Sequence, residues 1–495
     1  MIGKSLYKVS NLLLKPLNEV YVKFECERSL AQELSDYFTF FVPGYQFTPQ
    51  YKSRVWDGKI RLADLRTFTI YRGLLPYIEK FCKERDYKLE CDSNLYLTED
   101  YSLNEATEFI KSLNIPLEPR DYQIKSFVHA IRNRRMLLLS PTASGKSLII
   151  YLIVRYFQEI GLKRGLLIVP NISLVAQMYK DFESYGYDSL ENCHTIHQGR
   201  DKQAKKFLFI STWQSIYTQP KEYFEQFDFV IGDEAHSFKA KSLTTIMTGC
   251  TNSKYRIGCT GTLDGTQTHR LVLEGLFGPV YRSTSTSELI EKKQLADFRI
   301  KCLILKYPEN VCKESKKWDY QTELDYIVSN SKRNEFIKNL VMSLNGNTLI
   351  LFQLVERHGK KLYDLIKENA KNRHVFFVFG GTDVDIRESV RAITEKESNA
   401  IIVASYGVYS VGVNIRNLHN IVFASPSKSR IRNLQSIGRG LRLGDNKEEA
   451  ILFDIVDDFR TGKSTNYTLK HFLERVKIYD EEKFNYKFYN IELKP

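Results

Sequence analysis

The segment SPTASGKS, residues 140–147, follows the apolar run MLLLS and precedes LIIYLIVRYF. Between a strand and a helix, such a loop presents successive backbone N–H groups to an anion, and the helix N-terminus adds a partial positive charge. Pro141, Thr142, Ala143, Ser144 and Gly145 would form the cradle, Lys146 would reach the β- and γ-phosphates of ATP, and the Ser147 hydroxyl would ligand Mg²⁺. Ser140 stands where the general pattern G-x-x-x-x-G-K-[ST] has its first glycine. A serine-rich helix cap would share this composition but not the Gly145-Lys146-Ser147 core.

A second segment, IGDEAH at 231–236, closes the apolar run FDFVI. Phosphoryl transfer needs charge neutralisation and an oriented nucleophile, and neighbouring acids can divide those roles. Asp233 is expected to hold Mg²⁺, directly or through water, and Glu234 to polarise the attacking water. Alone, such a pair would be an ordinary acidic turn; with a phosphate loop in the same predicted sheet it becomes a hydrolytic site. A third segment, QSIGRGLR at 435–442, places Arg439 and Arg442 three apart, on one helix face. Arginine fingers of this kind are worth roughly 10³–10⁵ in rate. Without the other two segments it would read as a solvated basic face.

In this order the segments resemble the superfamily 2 DEAH-type helicases, over about residues 117–460. The resemblance implies further roles. PRDYQ at 119–123 matches the adenine-reading motif through Gln123, and TGT at 260–262 matches the element coupling hydrolysis to domain movement. Thr260, Gly261 and Thr262 would act there with His236, Gly412 and Gln435. IVPNISLVAQ (168–177) and STWQSI (211–216), with Thr212, match DNA-backbone contacts, and VASYGVYSVGVNIRN (403–417) their second-domain counterpart. Asn414 replaces the family's usual Asp there. SELIEKKQLADF (287–298), FTPQYKSR, VWDGKIRLAD (55–64) and the terminal EKFNYKFYN extend the resemblance to the recombination and repair helicases of T-even phages. That likeness implies D-loop and R-loop unwinding, branch migration and fork regression. It also implies DNA partners that are branched or carry single-strand/duplex junctions, RNA within R-loops, and a cytoplasmic location, in the host if the gene is a phage's.

Elements must position these residues. Apolar strand candidates alternate with helical patterns at MLLLS (136–140), GLLIVP (165–170), FLFIST (207–212), FDFVIGDE (227–234) and YRIGCTGT (255–262). They resume at TLILF (348–352), HVFFVFG (374–380), AIIVAS (400–405), NIVFAS (420–425) and AILFDIV (450–456). Continuous apolar strands alternating with helices predict parallel sheets buried on both faces. The expected fold class is α/β: two tandem RecA-like parallel-sheet domains behind a small N-terminal α+β domain. The expected limits are 1–108 for the N-terminal domain, 109–285 for the first RecA-like domain, 286–325 for a connector and 326–495 for the second.

The formal charge of +13 over 495 residues favours a polyanionic partner, nucleic acid before acidic lipid. No apolar run approaches a membrane span, and no two of the eight cysteines form a CxxC unit, which favours reduced buried thiols in an intracellular protein. Between 45 and 72, Lys52, Arg54, Lys59 and Arg61 interleave with Trp56 and other aromatics. Two readings stand equal there: a surface that neutralises phosphates and stacks unpaired bases, or a twisted hairpin with core aromatics and WDG as its turn. An RNA helicase would share every ATP-site residue. A binding or annealing protein with a vestigial site would share the charge, but intact Lys146, Asp233, Glu234, Arg439 and Arg442 argue against it.

Overall fold

The computed structural model describes residues 11–493, apart from 97, 198–200, 412–414, 416, 444–446, 448 and 463. The chain forms two compact units, residues 1–140 with 145–283 and residues 284–495, the loop Pro141–Ser144 grouping with the second.

The first unit begins with a five-stranded sheet of β1 (Asn11–Pro16), β2 (Tyr21–Glu25), β5 (Ala63–Asp64), β6 (Thr69–Tyr71) and β7 (Lys88–Cys91), ordered β5-β6-β2-β1-β7. Alternation sends Leu12, Leu14, Val22 and Phe24 to one face. Helices Arg28–Tyr37 and Leu75–Glu84 bury Leu34, Ile78 and Phe81 in the same core. The expected hairpin around WDG is not a tight turn. Strands β3 (Thr39–Phe41) and β4 (Lys59–Arg61) pair antiparallel, with a 3₁₀ turn at Tyr45–Phe47 and the helix Pro49–Lys52 between them. Gly58 turns back at φ +80°, and a Cβ there would lie 2.3 Å from Tyr45 Cδ2.

The core of this small N-terminal α+β layer runs on into that of the first parallel sheet. The Glu19 carboxylate accepts from Arg72 Nη1 at 2.9 Å and from Arg135 Nη2 at 2.7 Å. Tyr77 Oη donates to Glu274 Oε2 at 2.5 Å.

That sheet is wholly parallel and contains β8 (Arg135–Leu139), β9 (Gly165–Val169), β10 (Cys193–Ile196), β11 (Leu208–Thr212), β12 (Phe229–Asp233), β13 (Tyr255–Thr260) and β14 (Val280–Arg282). Its order is β10-β11-β9-β12-β13-β8-β14. Five of these strands are those predicted from apolar runs; β10 and β14, short and half-buried, were not.

The second unit has another parallel sheet, ordered β17-β18-β16-β19-β20-β15-β21. Its strands are β15 (Asp297–Lys306), β16 (Thr348–Phe352), β17 (Val375–Val378), β18 (Ile401–Ser405), β19 (Asn420–Phe423), β20 (Glu449–Asp458) and β21 (Asn485–Glu492). The predicted connector 286–325 is corrected here, since β15 pairs with β20 over its whole length and with β21 on its other side. Arg299, Lys301 and Lys306 interrupt its apolar run, so the sequence carries no continuous strand signature there; Arg299 and Lys306 pair with Glu449 and Asp458 of β20.

Candidate active site

In doubly wound sheets ligands meet the carboxyl ends of strands. At that edge β12, β13 and β8 are neighbours, with Asp233 opposite Cys259 and Thr260 opposite Leu139. The register therefore delivers the phosphate loop, the acidic pair and the TGT segment side by side.

Ala143 at φ +68° and Gly145 at φ +78° curl the loop before the helix Lys146–Glu159. Ser140 is fully buried, its N–H donating to Thr260 O at 2.9 Å and its Oγ accepting from Ser283 Oγ at 2.8 Å. The serine at the first glycine position thus adds a side-chain tie from the loop to Ser283, just after β14. Lys146 Nζ donates to Ser140 O at 3.2 Å. Gln123 is buried; its Oε1 accepts from Arg120 N at 2.8 Å and its Nε2 donates to Gly145 O at 3.3 Å. The adenine-reading candidate accordingly lies against the phosphate loop. Ser147 Oγ lies 2.9 Å from Tyr185 Oη, a partner in a distant helix–loop segment that no motif revealed.

Asp233 is 8% exposed. Burial, reinforced by the neighbouring Glu234 charge and opposed by Lys146, raises its carboxyl to about 6. Its Oδ1 is buried and has no hydrogen-bond partner. An orphaned buried carboxylate oxygen is the kind of donor that suits a hard divalent cation. No cluster of three or more His, Cys, Asp or Glu able to hold a metal occurs among the described residues. Glu234 adopts φ +49°, a left-handed conformation uncommon for a residue that bears a side chain.

The coupling residues converge partly. His236 Nδ1 is 3.1 Å from Thr260 Oγ1, and Thr260 Oγ1 donates to Thr262 O at 3.0 Å across Gly261. The acidic segment is thereby joined to TGT. Beyond TGT, Asp264 accepts from Thr266 Oγ1 at 2.8 Å and pairs with Lys239 and His269. Despite burial, the His269 and Lys239 bonds hold its carboxyl well below the usual range. Nothing in the sequence marked this cluster. Gly412 and Asn414 lie outside the described residues.

In the second unit Gln435 is buried and Arg439 half-buried on the helix Arg430–Gly440. Arg442 lies beyond the C-cap Leu441, so the two arginines share a helix terminus and not, as expected, one helical face.

The N-terminal candidates divide. Lys52, Arg54 and Arg61 are exposed, Arg61 pairing with Asp57 at 2.5 Å. Trp56 Nε1 donates to Lys59 O at 2.9 Å, and Lys59 Nζ lies 5.0 Å above the Phe41 ring. Phe41 stacks on Tyr45, which meets Tyr51 edge-on, each pair at 4.7 Å. Those aromatics pack on one another at the surface, with Phe41 51% exposed. Phe47 and Val55, at 80% and 81% exposure, are the most exposed apolar side chains of this segment. Thr212 is buried and its Oγ1 lies 2.9 Å from Ser215 Oγ, which makes it a support for the STWQSI turn. No helix among the described residues is long and apolar enough to cross a membrane.

Comparison with known proteins gives matches along the chain. Residues 13–92 match the family model described as DNA helicase UvsW, N-terminal, residues 116–265 that of the type III restriction enzyme res subunit, and residues 331–444 the helicase conserved C-terminal domain. The ATP-dependent DNA helicase uvsW of Enterobacteria phage T4 is 34% identical over 96% of this chain and 98% of its own. The DNA 3'-5' translocase XPB2 of Sulfurisphaera tokodaii is 24% identical over 70% of this chain and 84% of its own. The crystal structure of T4 UvsW aligns with a TM-score of 0.53 at 33% identity, covering 98% of this chain and 100% of that one.

Proposed function

The chain belongs to the UvsW family of ATP-dependent DNA helicases, and from that premise we propose that it couples Mg²⁺-dependent ATP hydrolysis to the remodelling of branched DNA. Its substrates would be D-loops, R-loops with their RNA strand, migrating junctions and regressing forks in recombination, repair and replication, in the host cytoplasm.

The supporting observation is the register of β12, β13 and β8, which brings the phosphate loop, the acidic pair and the TGT segment to one edge of one sheet. In this reading Lys146 and the loop amides hold the β- and γ-phosphates, while Gln123 reads adenine from its place against Gly145. Ser147 and Asp233 would hold Mg²⁺, which when bound neutralises charge on the transferred phosphoryl group. Glu234 orients and deprotonates the attacking water. Arg439 and Arg442 would meet the γ-phosphate on closure and stabilise its developing charge. His236, Thr260, Gly261, Thr262, Gly412 and Gln435 would pass the loss of that phosphate to the nucleic-acid contacts. Those contacts would include Lys52, Arg54, Lys59 and Arg61 on the N-terminal layer.

The test is ATP hydrolysis by purified protein with single-stranded, duplex, forked and four-way DNA and matched RNA. Stimulation greatest on branched DNA, abolished in Lys146→Ala and Glu234→Gln with DNA binding retained, is the expected result. Stimulation by RNA alone would refute the DNA substrate, and undiminished hydrolysis in both variants would refute the site.

A further inference from the structure

Lys447 belongs to none of the motif segments and lies just before β20. Its residue is 3% exposed. A lysine is almost never so deeply buried unless its charge is met. Here the Nζ donates to Gly440 O and, at 3.0 Å, to Arg442 O. Gly440 ends the helix Arg430–Gly440, whose final carbonyls have no partner within the helix. A cation at that end is also favoured by the carbonyls' partial negative charge. Burial, and then the like charge of Arg442, nonetheless push the ammonium down to about 7. A C-cap alone needs only a glycine or a bound water. What a single ammonium adds is a tie between carbonyls on both sides of Leu441, in the stretch that carries Arg439 and Arg442.

We propose that Lys447 is a positioning residue for the two arginines: by holding the carbonyls of Gly440 and Arg442 together, it fixes the backbone from which both guanidiniums project. The inference rests on the reading of Arg439 and Arg442 as the groups that stabilise the reacting phosphate. Catalytic groups displaced by about 1 Å can lose on the order of 10²-fold in rate while the substrate still binds. Removing the tie should therefore lower turnover and leave nucleotide affinity in place.

The experiment compares full-length Lys447→Met, Lys447→Gln and Lys447→Arg with wild type and with Arg439→Ala. It measures DNA-stimulated kcat, KM for ATP, affinity for a fluorescent ADP analogue, and Tm. Lys447→Met should lose roughly tenfold or more in kcat, with KM and ADP affinity near wild type, and Lys447→Arg should recover most of it. Wild-type kcat in folded Lys447→Met overturns the inference. So does a parallel loss of kcat, ADP affinity and Tm that Lys447→Arg does not rescue, which would mark a purely structural lysine. If Lys447→Met does not fold, Lys447→Gln carries the same comparison. Unchanged kcat in Arg439→Ala would instead remove the arginine reading, whereas its loss beside an active Lys447→Met removes only the role of Lys447.

Discussion

Asp233 carries a charge that its surroundings oppose. Burial and Glu234 raise its folded-state carboxyl from 3.8 to about 6, so the folded chain holds that proton more tightly than the unfolded chain. The resulting stabilisation is full below the ordinary carboxyl value and is lost as pH rises through about 6. Above that, the ionised carboxylate costs stability, up to about 3 kcal/mol for a shift of this size. Asp233→Asn should therefore raise Tm at pH 7.5 while abolishing hydrolysis, and the gain in Tm should shrink towards pH 4. Equal Tm differences at both pH values, measured by scanning calorimetry, would contradict this account. Lys146, Ser147, Asp233 and Glu234 stand out as candidates in the sequence because phosphate chemistry restricts residue type and spacing within a few positions. Tyr185 beside Ser147, and Lys239 and His269 around Asp264, were not, because their partners are set by the fold and not by local spacing.

At the scale of elements, the ten strands predicted from apolar runs are all present, since burial on both faces leaves a continuous signature. The missed strands are those with little such burial: β21 is largely exposed, and β15 carries charged residues that answer β20. The helix Gln267–Phe277 links the site to the N-terminal layer in a way no periodicity reveals. It starts beside Asp264, bears His269 on its first turns, and ends against that layer through Glu274 and Gly275. A Cβ on Gly73 would lie 2.0 Å from Glu274 O, so helix and layer approach at backbone distance. Glu274 is 1% exposed, and it accepts from Tyr77 Oη and from Val280 N. Tyr77→Phe removes a donor from this buried carboxylate and should destabilise the first unit by about 1–3 kcal/mol. Urea unfolding should show a lower midpoint at unchanged slope, with KM for ATP unaltered. An unmoved midpoint would mean that the layer is held by apolar packing alone.

For the whole molecule, the formal charge of +13 favours a polyanion, and the number of phosphates contacted sets how affinity responds to salt. Each phosphate neutralised by a side chain contributes about −0.9 to the slope of log K against log salt on duplex DNA. The exposed loop between β3 and β4 presents two kinds of group, the cations Lys52 and Arg54 and the apolar tips Phe47 and Val55. They make separable demands on the substrate. If the cations touch phosphates, replacing Lys52 and Arg54 with Gln should weaken binding to all duplex and forked DNA alike and reduce the slope by about 2. If Phe47 stacks on an unpaired base, Phe47→Ala should cost roughly 1–3 kcal/mol on forked DNA and little on blunt duplex. Its salt slope should not change, because no counterion is released by stacking. Fluorescence anisotropy across a salt series with forked and blunt DNA measures both quantities on the same protein. Unchanged slopes in the cation variant, together with equal losses on both DNAs for Phe47→Ala, would return the loop to a structural role and place the DNA path on the two parallel-sheet units alone.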